Sequence, residues 1–367
     1  MTTAPNERST VPLFSPTTLG SLSLSNRVVM APLTRVRSGE TGVPNDLVVE
    51  YYSQRATTGL IVSEGTYTSA ESQSYPGQPG IVSPGQIEGW RRVADAVHGK
   101  GGLIVMQLMH GGRVTHPSIN GGNQPIAPSA VAIAGDVRTP DGKLPYPVPH
   151  APSEAEISGL VAEHVLAARN AISAGFDGVE VHSANGYLLH EFLSPVSNVR
   201  DDSYGGSPAN RARFGIEVIT AVADEIGADR VGVRISPSHN IQDVAETDAD
   251  ETRATYEALV DGIAPLGLAY LSVLHAEPAG ELVQHLRARF GGPLMANSGF
   301  GVVTTRDDAE QLIADDSADV IAVGRMIIAN PDLVRRWSER REVNEPDAST
   351  FYGTDERGYT DYPALAS

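Results

Sequence analysis

The 367-residue sequence contains no cysteine. That absence excludes disulfides, thiolate metal sites, thiol nucleophiles and cysteine-ligated iron–sulfur clusters. It also fits a reducing compartment, and we expect the cytoplasm. Long apolar runs are missing too: none approaches the length that spans a bilayer. Residues 1–10 are polar, lack the apolar segment of a secretory signal, and are expected to form a disordered tail. Basic residues are scarce, 27 Lys and Arg against 45 Asp and Glu, for a net charge of −18. Such a surface repels phosphate backbones and anionic lipid, so neither nucleic acid nor a membrane is expected as a partner. The acidic excess concentrates in residues 243–261 and 307–319, which read as solvated helix faces. Finally, no G-x-G-x-x-G follows the first strand-like run, so the signature of a dinucleotide-binding doubly wound sheet is absent.

Hydrophobic residues make up 41% of the chain, enough to bury a full core. Strand-like runs occur at 27–33, 60–64, 103–108, 178–181, 231–235, 269–274, 293–296 and 320–323. Helical patterns lie between them at 46–57, 84–99, 153–174, 208–226, 250–266, 279–290, 304–314 and 330–340. Ser153 and Glu156 form a capping-box pattern, and Gly175 and Gly227 follow last helical turns. Eight strands alternating with eight helices argue for a parallel sheet, and the count suits a closed (β/α)8 barrel in one α/β domain over 11–367. The doubly wound sheet is the main structural alternative. Residues 111–152, rich in Gly and Pro, interrupt the rhythm after the third strand. A loop this long is either functional or a sign of misassigned elements; we read it as a lid containing a short hairpin. Residues 341–367 read as a packed C-terminal tail.

The most informative junction is His182-Ser-Ala-Asn185-Gly-Tyr187, directly behind Phe176-Asp-Gly-Val-Glu-Val181. An imidazole, a carboxamide and a phenol leave the C-terminal end of one strand together. His and Asn can donate to a developing oxyanion, and Tyr can deliver a proton. The plain alternative is a polar strand end that satisfies local backbone; three such residues within six positions favour chemistry.

Barrel enzymes build their sites from strand C-termini. Those positions here hold Ala31-Pro32-Leu33-Thr34-Arg35, Ser63-Glu64-Gly65, Gln107-Leu108-Met109-His110, Arg234, Ser298-Gly299 and Gly324-Arg325. No metal-like set of carboxylates and histidines recurs among them. A hydroxyl, a carboxamide, an arginine and glycine-bounded turns suit a flat heterocycle with a phosphate tail. The turns after strands seven and eight, Gly299 and Gly324 with Arg325, are placed where this kind of barrel commonly binds phosphate. Each glycine alone reads as a helix-entry turn, but their joint placement points to phosphate.

These residues resemble the old yellow enzyme family of flavin-dependent ene reductases. The likeness runs through Leu13-Phe-Ser-Pro16, Asn26-Arg-Val-Val-Met-Ala-Pro-Leu-Thr-Arg35, Tyr51-Tyr-Ser-Gln-Arg-Ala56, Gln107-Leu-Met-His110 and Ala174-Gly-Phe-Asp-Gly-Val-Glu-Val-His182. It continues in Asp202-Ser-Tyr-Gly-Gly206, Asn210-Arg211, Ala329-Asn-Pro-Asp332 and Gly358-Tyr-Thr-Asp-Tyr-Pro363, so it covers essentially the whole chain. The resemblance implies FMN, reduced by NADPH or NADH and reoxidised in the same pocket by an electron-poor alkene (enone, maleimide or nitroalkene) in ping-pong fashion. It implies FMN contacts from Pro32, Thr34, Gly65, Gln107, Arg234, Ser298, Gly299, Gly324 and Arg325. His182 and Asn185 match the pair that binds the activating oxygen while flavin N5 delivers hydride, and Tyr187 matches the proton donor. Tyr75 and Tyr352 resemble pocket-lining tyrosines, leaving Tyr359 and Tyr362 as structural.

Three positions depart from the family's pattern. Met109 stands where many relatives have Trp, the loop 275–280 is short, and Ser298 stands where Gly is frequent. The alternative reading is a non-catalytic flavin-binding sensor or store, against which the retained Tyr187 speaks. A related type carrying an iron–sulfur cluster is excluded by the absent cysteines. The partner is therefore a small molecule, and the chain is expected as a monomer or homodimer.

Overall fold

Eight strands close on themselves in the computed structural model, which describes residues 12–366; the expected tail at 1–10 lies outside the described residues. They are β1 (Val28–Met30), β2 (Leu60–Val62), β3 (Ile104–Met109), β4 (Gly178–Ser183), β5 (Val231–Ile235), β6 (Tyr270–Leu274), β7 (Leu294–Asn297) and β8 (Val320–Val323). Each pairs in parallel with its sequence neighbours, and β8 pairs with β1 to complete the ring. The barrel expected from the strand count is the fold.

Alternation along each strand sorts side chains between two cores. Val28 and Met30 face outward into the large core shared with the helices, whereas Val29 and Ala31 face the barrel interior. The same interior holds Leu60, Val62, Val105, Met295, Val320 and Ala322. Its lower end is closed by Leu19, Leu22 and Leu24. These come from an antiparallel hairpin (Thr17–Leu19 with Leu22–Leu24) that the sequence reading did not foresee.

The surrounding helices are α1 (Asp46–Gln54), α2 (Pro84–His98), α3 (Glu154–Ser173), α4 (Pro208–Ile226), α5 (Ala249–Ile263), α6 (Glu281–Phe290), α7 (Arg306–Ala314) and α8 (Leu333–Ser338). The capping box at Ser153 is present, with Glu156 Oε2 accepting from the Ser153 N–H at 2.8 Å. Gly227 ends α4 at φ +92°.

Two assignments are corrected. The helix expected over 330–340 is shorter, with α8 running only over Leu333–Ser338, and a separate five-residue helix, Arg325–Ala329, precedes it. Pro331 has no N–H and forces Asn330 out of helical backbone, to φ −128°, ψ 85°. A further short helix, Leu188–Leu193, follows directly on Tyr187.

The 111–152 insertion lies between β3 and α3 and contains the hairpin Asp136–Thr139/Gly142–Pro145. Buried Arg113 ties its start to two other segments. Its guanidinium donates to the Val131 carbonyl at 3.0 Å and to the Gln242 and Asp243 carbonyls at 3.3 and 3.0 Å.

The C-terminal tail is gripped from below by two buried arginines. Arg35 donates to the carbonyls of Phe351 (3.0 Å) and Gly358 (2.7 Å). Arg37 donates to those of Asp355, Thr350 and Arg357 at 2.9, 3.1 and 3.1 Å. Tyr359 is fully buried and stacks on Tyr51, with ring centroids 4.0 Å apart.

Candidate active site

The upper part of the barrel interior is built in two layers fixed by strand register. In the lower layer Gln107, Glu180, Gly232 and Tyr270 stand side by side on β3, β4, β5 and β6. Two residues further along, His182, Arg234 and Ser272 form the upper layer. All of these side chains are buried.

Arg234 donates to Ser272 Oγ at 3.1 Å and to Asn297 Oδ1 at 3.3 Å. Asn297 is oriented by its own donation to the Ala322 carbonyl at 2.7 Å. Burial pulls the Arg234 pKa down, and Glu180 opposes that pull. Burial, then the Arg234 cation, then His190 hold His182 well below the usual histidine range, so its imidazole is neutral.

The turn after β4 carries the other two expected groups. Asn185 sits at φ +57°, left-handed backbone that asparagine tolerates better than most residues. The loop after β5 holds it there: the Asn185 N–H donates to Ser236 Oγ at 2.9 Å, and its carbonyl accepts from Gln242 Nε2 at 2.7 Å. The next N–H, of Gly186, donates to His190 Nδ1 at 2.9 Å. That leaves the His190 Nε2 proton for Glu246 Oε1, 3.0 Å away. Glu246 in turn accepts from the Ser238 N–H at 2.7 Å, so one buried chain of bonds joins the two loops.

Tyr187 follows, buried, with its hydroxyl 2.8 Å from that of Tyr75. Burial pushes the Tyr187 phenol up to about 12, against the effect of bonds to Tyr75 and Gln242. It is protonated at neutral pH. Met109, Val114, Ile133 and Tyr187 form a small apolar cluster, against which Tyr75 and Tyr146 of the insertion pack. Tyr352 lies near enough to raise the pKa values of both Tyr75 and Tyr187. It is 68% exposed and therefore belongs to the rim of this cluster, not its interior.

The expected cofactor residues occupy the neighbouring strand ends. A Cβ on Gly65 would lie 2.6 Å from Met109 Sδ and 3.4 Å from Gln107 Oε1, so a side chain there would push the Met109 thioether aside. Pro32 and Thr34 are half-buried in the loop after β1. That loop is held by Glu64, whose Oε2 accepts from the N–H groups of Arg35 and Val36, both at 3.0 Å. Ser298 and Gly299 end β7, with Gly299 at φ +88°. Gly324 precedes the short helix that begins at Arg325, and Arg325 is exposed. Its guanidinium donates to the Phe300 carbonyl at 2.6 Å, bridging the turns after β7 and β8.

Sequence reasoning missed several participants. Glu180 carried a usable signal, because it alternates with His182 on one strand face. Gln242, Ser236, His190, Glu246 and Tyr146 carried none, since their partners are far away in the chain.

Among the described residues, the buried polar atoms without a partner at this end of the barrel include His182 Nδ1, Asn185 Oδ1 and Arg234 Nε. Unpaired buried polar atoms are costly, and their gathering at the strand ends that carry Gln107 and Gly65 fits a bound polar heterocycle. Among the described residues no group of three or more His, Cys, Asp or Glu side chains could hold a metal, and no helix is long and apolar enough to cross a membrane.

The sequence profile of the NADH:flavin oxidoreductase / NADH oxidase family matches residues 12–344. The chain is 44% identical to a flavin oxidoreductase, hxnT, of Emericella nidulans, covering 96% of this chain and 97% of the relative. It is 41% identical to a probable flavin mononucleotide-dependent alkene reductase of Leishmania infantum, again covering 96% and 97%. The solved structure of morphinone reductase with tetrahydroNAD superposes with a TM-score of 0.90 at 44% identity, over 96% of this chain and 98% of that one.

Proposed function

The chain belongs to the NADH:flavin oxidoreductase / NADH oxidase family, and on that footing we propose how its own residues carry out the reaction. It is an FMN-dependent, old-yellow-enzyme-type reductase of electron-poor C=C bonds that draws its electrons from a nicotinamide. When bound, FMN supplies the hydride.

His182 and Asn185 hold the carbonyl or nitro oxygen of the alkene. The neutral imidazole and the carboxamide each supply an N–H to that oxygen as it gains charge, and a buried site strengthens such bonds. The left-handed turn at Asn185, locked by Ser236 and Gln242, keeps the carboxamide in place without reorganisation. Tyr187 protonates the α-carbon; a phenol near 12 is fully loaded with its proton at neutral pH. Tyr75, Met109 and Tyr146 shape the apolar side of the pocket, and Tyr352 its rim.

On the cofactor side, Gln107 would pair with the pyrimidine edge, and Thr34, Pro32 and Gly65 would meet the ring. Arg234 would face the end that becomes negative on reduction. Backbone at Ser298, Gly299 and Gly324, together with Arg325, would take the phosphate, with Arg325 exchanging its Phe300 carbonyl for the anion. The insertion 111–152 acts as a lid, anchored through Arg113. A cytosolic monomer or homodimer belongs to the same reading. No observation favours the non-catalytic alternative.

The observation that carries the reading is the convergence of buried His182, whose Nδ1 has no partner, with buried Asn185, Tyr187 and Arg234 at one end of the barrel. The test uses phenols, which two donors bind as phenolates, giving a long-wavelength charge-transfer band over the flavin. The double variant His182→Ala/Asn185→Ala should retain FMN and lose that band. A band of full strength in the variant would place the oxyanion site elsewhere.

A further inference from the structure

We propose that Glu180 is a positioning residue for the cofactor: an ionised carboxylate that fixes which edge of the Gln107 amide faces FMN and offsets the Arg234 charge from one layer below. The proposal rests on the reading that Gln107 and Arg234 contact FMN.

Glu180 is fully buried in the barrel interior, where an unpaired carboxylate would not persist. Gln107 Nε2 donates to its Oε1 at 2.8 Å, and the Tyr270 hydroxyl donates to its Oε2 at 3.2 Å. The second donor reaches it only because of a gap in the wall between them. Gly232 stands between Glu180 and Tyr270 in the register. A Cβ there would lie 2.1 Å from Tyr270 Cζ and 2.4 and 2.6 Å from its two Cε atoms. The absent side chain lets the Tyr270 ring lie across β5.

Both bonded groups donate, and the Arg234 cation stands one layer above on the adjacent strand. Burial is the largest influence and leaves Glu180 above its ordinary 4.5, while Arg234, Gln107 and Tyr270 each hold that rise in check. Two consequences follow. With its NH2 tied to a carboxylate, Gln107 presents its carbonyl oxygen, an acceptor, to the cofactor; a flipped amide would set oxygen against oxygen. The negative charge also weakens the pull of Arg234 on electrons entering the ring, so Glu180 lowers the reduction potential below what Arg234 alone would set.

The experiment separates charge from geometry in the holoenzyme by measuring the FMN midpoint potential and the FMN dissociation constant. Glu180→Gln keeps the shape and removes the charge. It should bind FMN and shift the oxidised–reduced equilibrium about tenfold toward the reduced form, about 30 mV for a two-electron couple. Glu180→Asp keeps the charge and shortens the reach to Gln107. It should leave the potential within about 10 mV of the parent, a little over twofold, and weaken FMN binding about tenfold.

A potential unmoved in Glu180→Gln overturns the electrostatic role, and a purely structural residue would weaken binding in both variants without moving the potential. Should Glu180→Gln not fold, unchanged FMN affinity in Glu180→Asp overturns the orienting role by itself. Gln107→Ala separates this proposal from the reading beneath it. If that change leaves FMN affinity intact, the assignment of the cofactor contacts fails and this proposal with it. If affinity falls while Glu180→Gln behaves as the parent, only the role of Glu180 is lost.

Discussion

The inner wall of the barrel has two unlike halves. On β8, β1 and β2 it presents Val320, Ala322, Val29, Ala31, Leu60 and Val62. On β3 to β7, above the apolar Val105 and Met295, it presents Gln107, Glu180, His182, Arg234, Ser272 and Asn297, all buried. Both halves are buried, so burial does not distinguish them. What distinguishes them is the state of their polar atoms. The apolar half has nothing to satisfy and closes by packing alone. In the polar half, each group is either tied to a neighbour, as Arg234 is to Ser272, or left open, as His182 Nδ1 is. One side of the ring keeps the fold shut, and the other is arranged around something the chain does not itself contain.

Three experiments would break or sharpen this contrast. The largest effect is expected where the polar side meets substrate. Tyr187→Phe should leave FMN binding and reduction by the nicotinamide nearly intact and slow reoxidation by a simple enone about 10²–10⁴-fold. Nitroalkenes, whose anions survive without immediate protonation, should be affected far less. Stopped-flow reoxidation with both acceptors is the measurement, and an unimpaired enone reaction would assign the proton to another group.

Behind the polar half, Glu191 is a buried carboxyl held up to about 8, chiefly by burial and against the pull of Arg113. Its folded value exceeds its ordinary 4.5, so the folded chain binds the extra proton. The stability it contributes is present below about 4.5 and is lost as pH rises toward 8. Glu191→Gln should therefore gain stability relative to the parent between pH 5 and 8, by at most about 1.4 kcal/mol per pH unit. Urea denaturation across that range tests it, and parallel pH curves for the two proteins would refute it.

The smallest effect belongs to the apolar half. Val62→Thr keeps the shape but places a hydroxyl where the neighbours offer no partner, at a cost of about 1–3 kcal/mol. If urea unfolding showed no loss, water or a rearranged partner would have to reach that side, and the two halves would not differ as described.

The sequence spoke clearly wherever local pattern carries the information. Val179 and Val181 marked β4 because they pack outward against helices, and His182, Asn185 and Tyr187 stood out as candidates because they leave that strand together. The same alternation, read one step further, points Glu180 inward beside His182; it stayed hidden because a lone acid inside an apolar run reads as part of the strand. Gln242 was out of reach for another reason. It meets Asn185 across 57 positions, and that pairing is set by the path of two loops over the barrel. The late start of α8 after Asn330-Pro331 was legible from proline chemistry alone, but the helix expected over 330–340 ran through it, and the short helix before it was not expected.

The grip of Arg35 and Arg37 on the C-terminal tail bears on how such a pocket changes over evolutionary time. Both guanidinium groups hold carbonyls of the main chain, which every amino acid possesses. The course of the tail past the site is thus set without reference to the side chains it carries. Tyr352, mostly exposed at the rim, can be exchanged for a smaller, larger or charged residue while the backbone that presents it stays where it is. The molecule thereby owns a position at which new substrates can be explored by single substitutions, with the cofactor and the proposed oxyanion pair and proton donor left undisturbed.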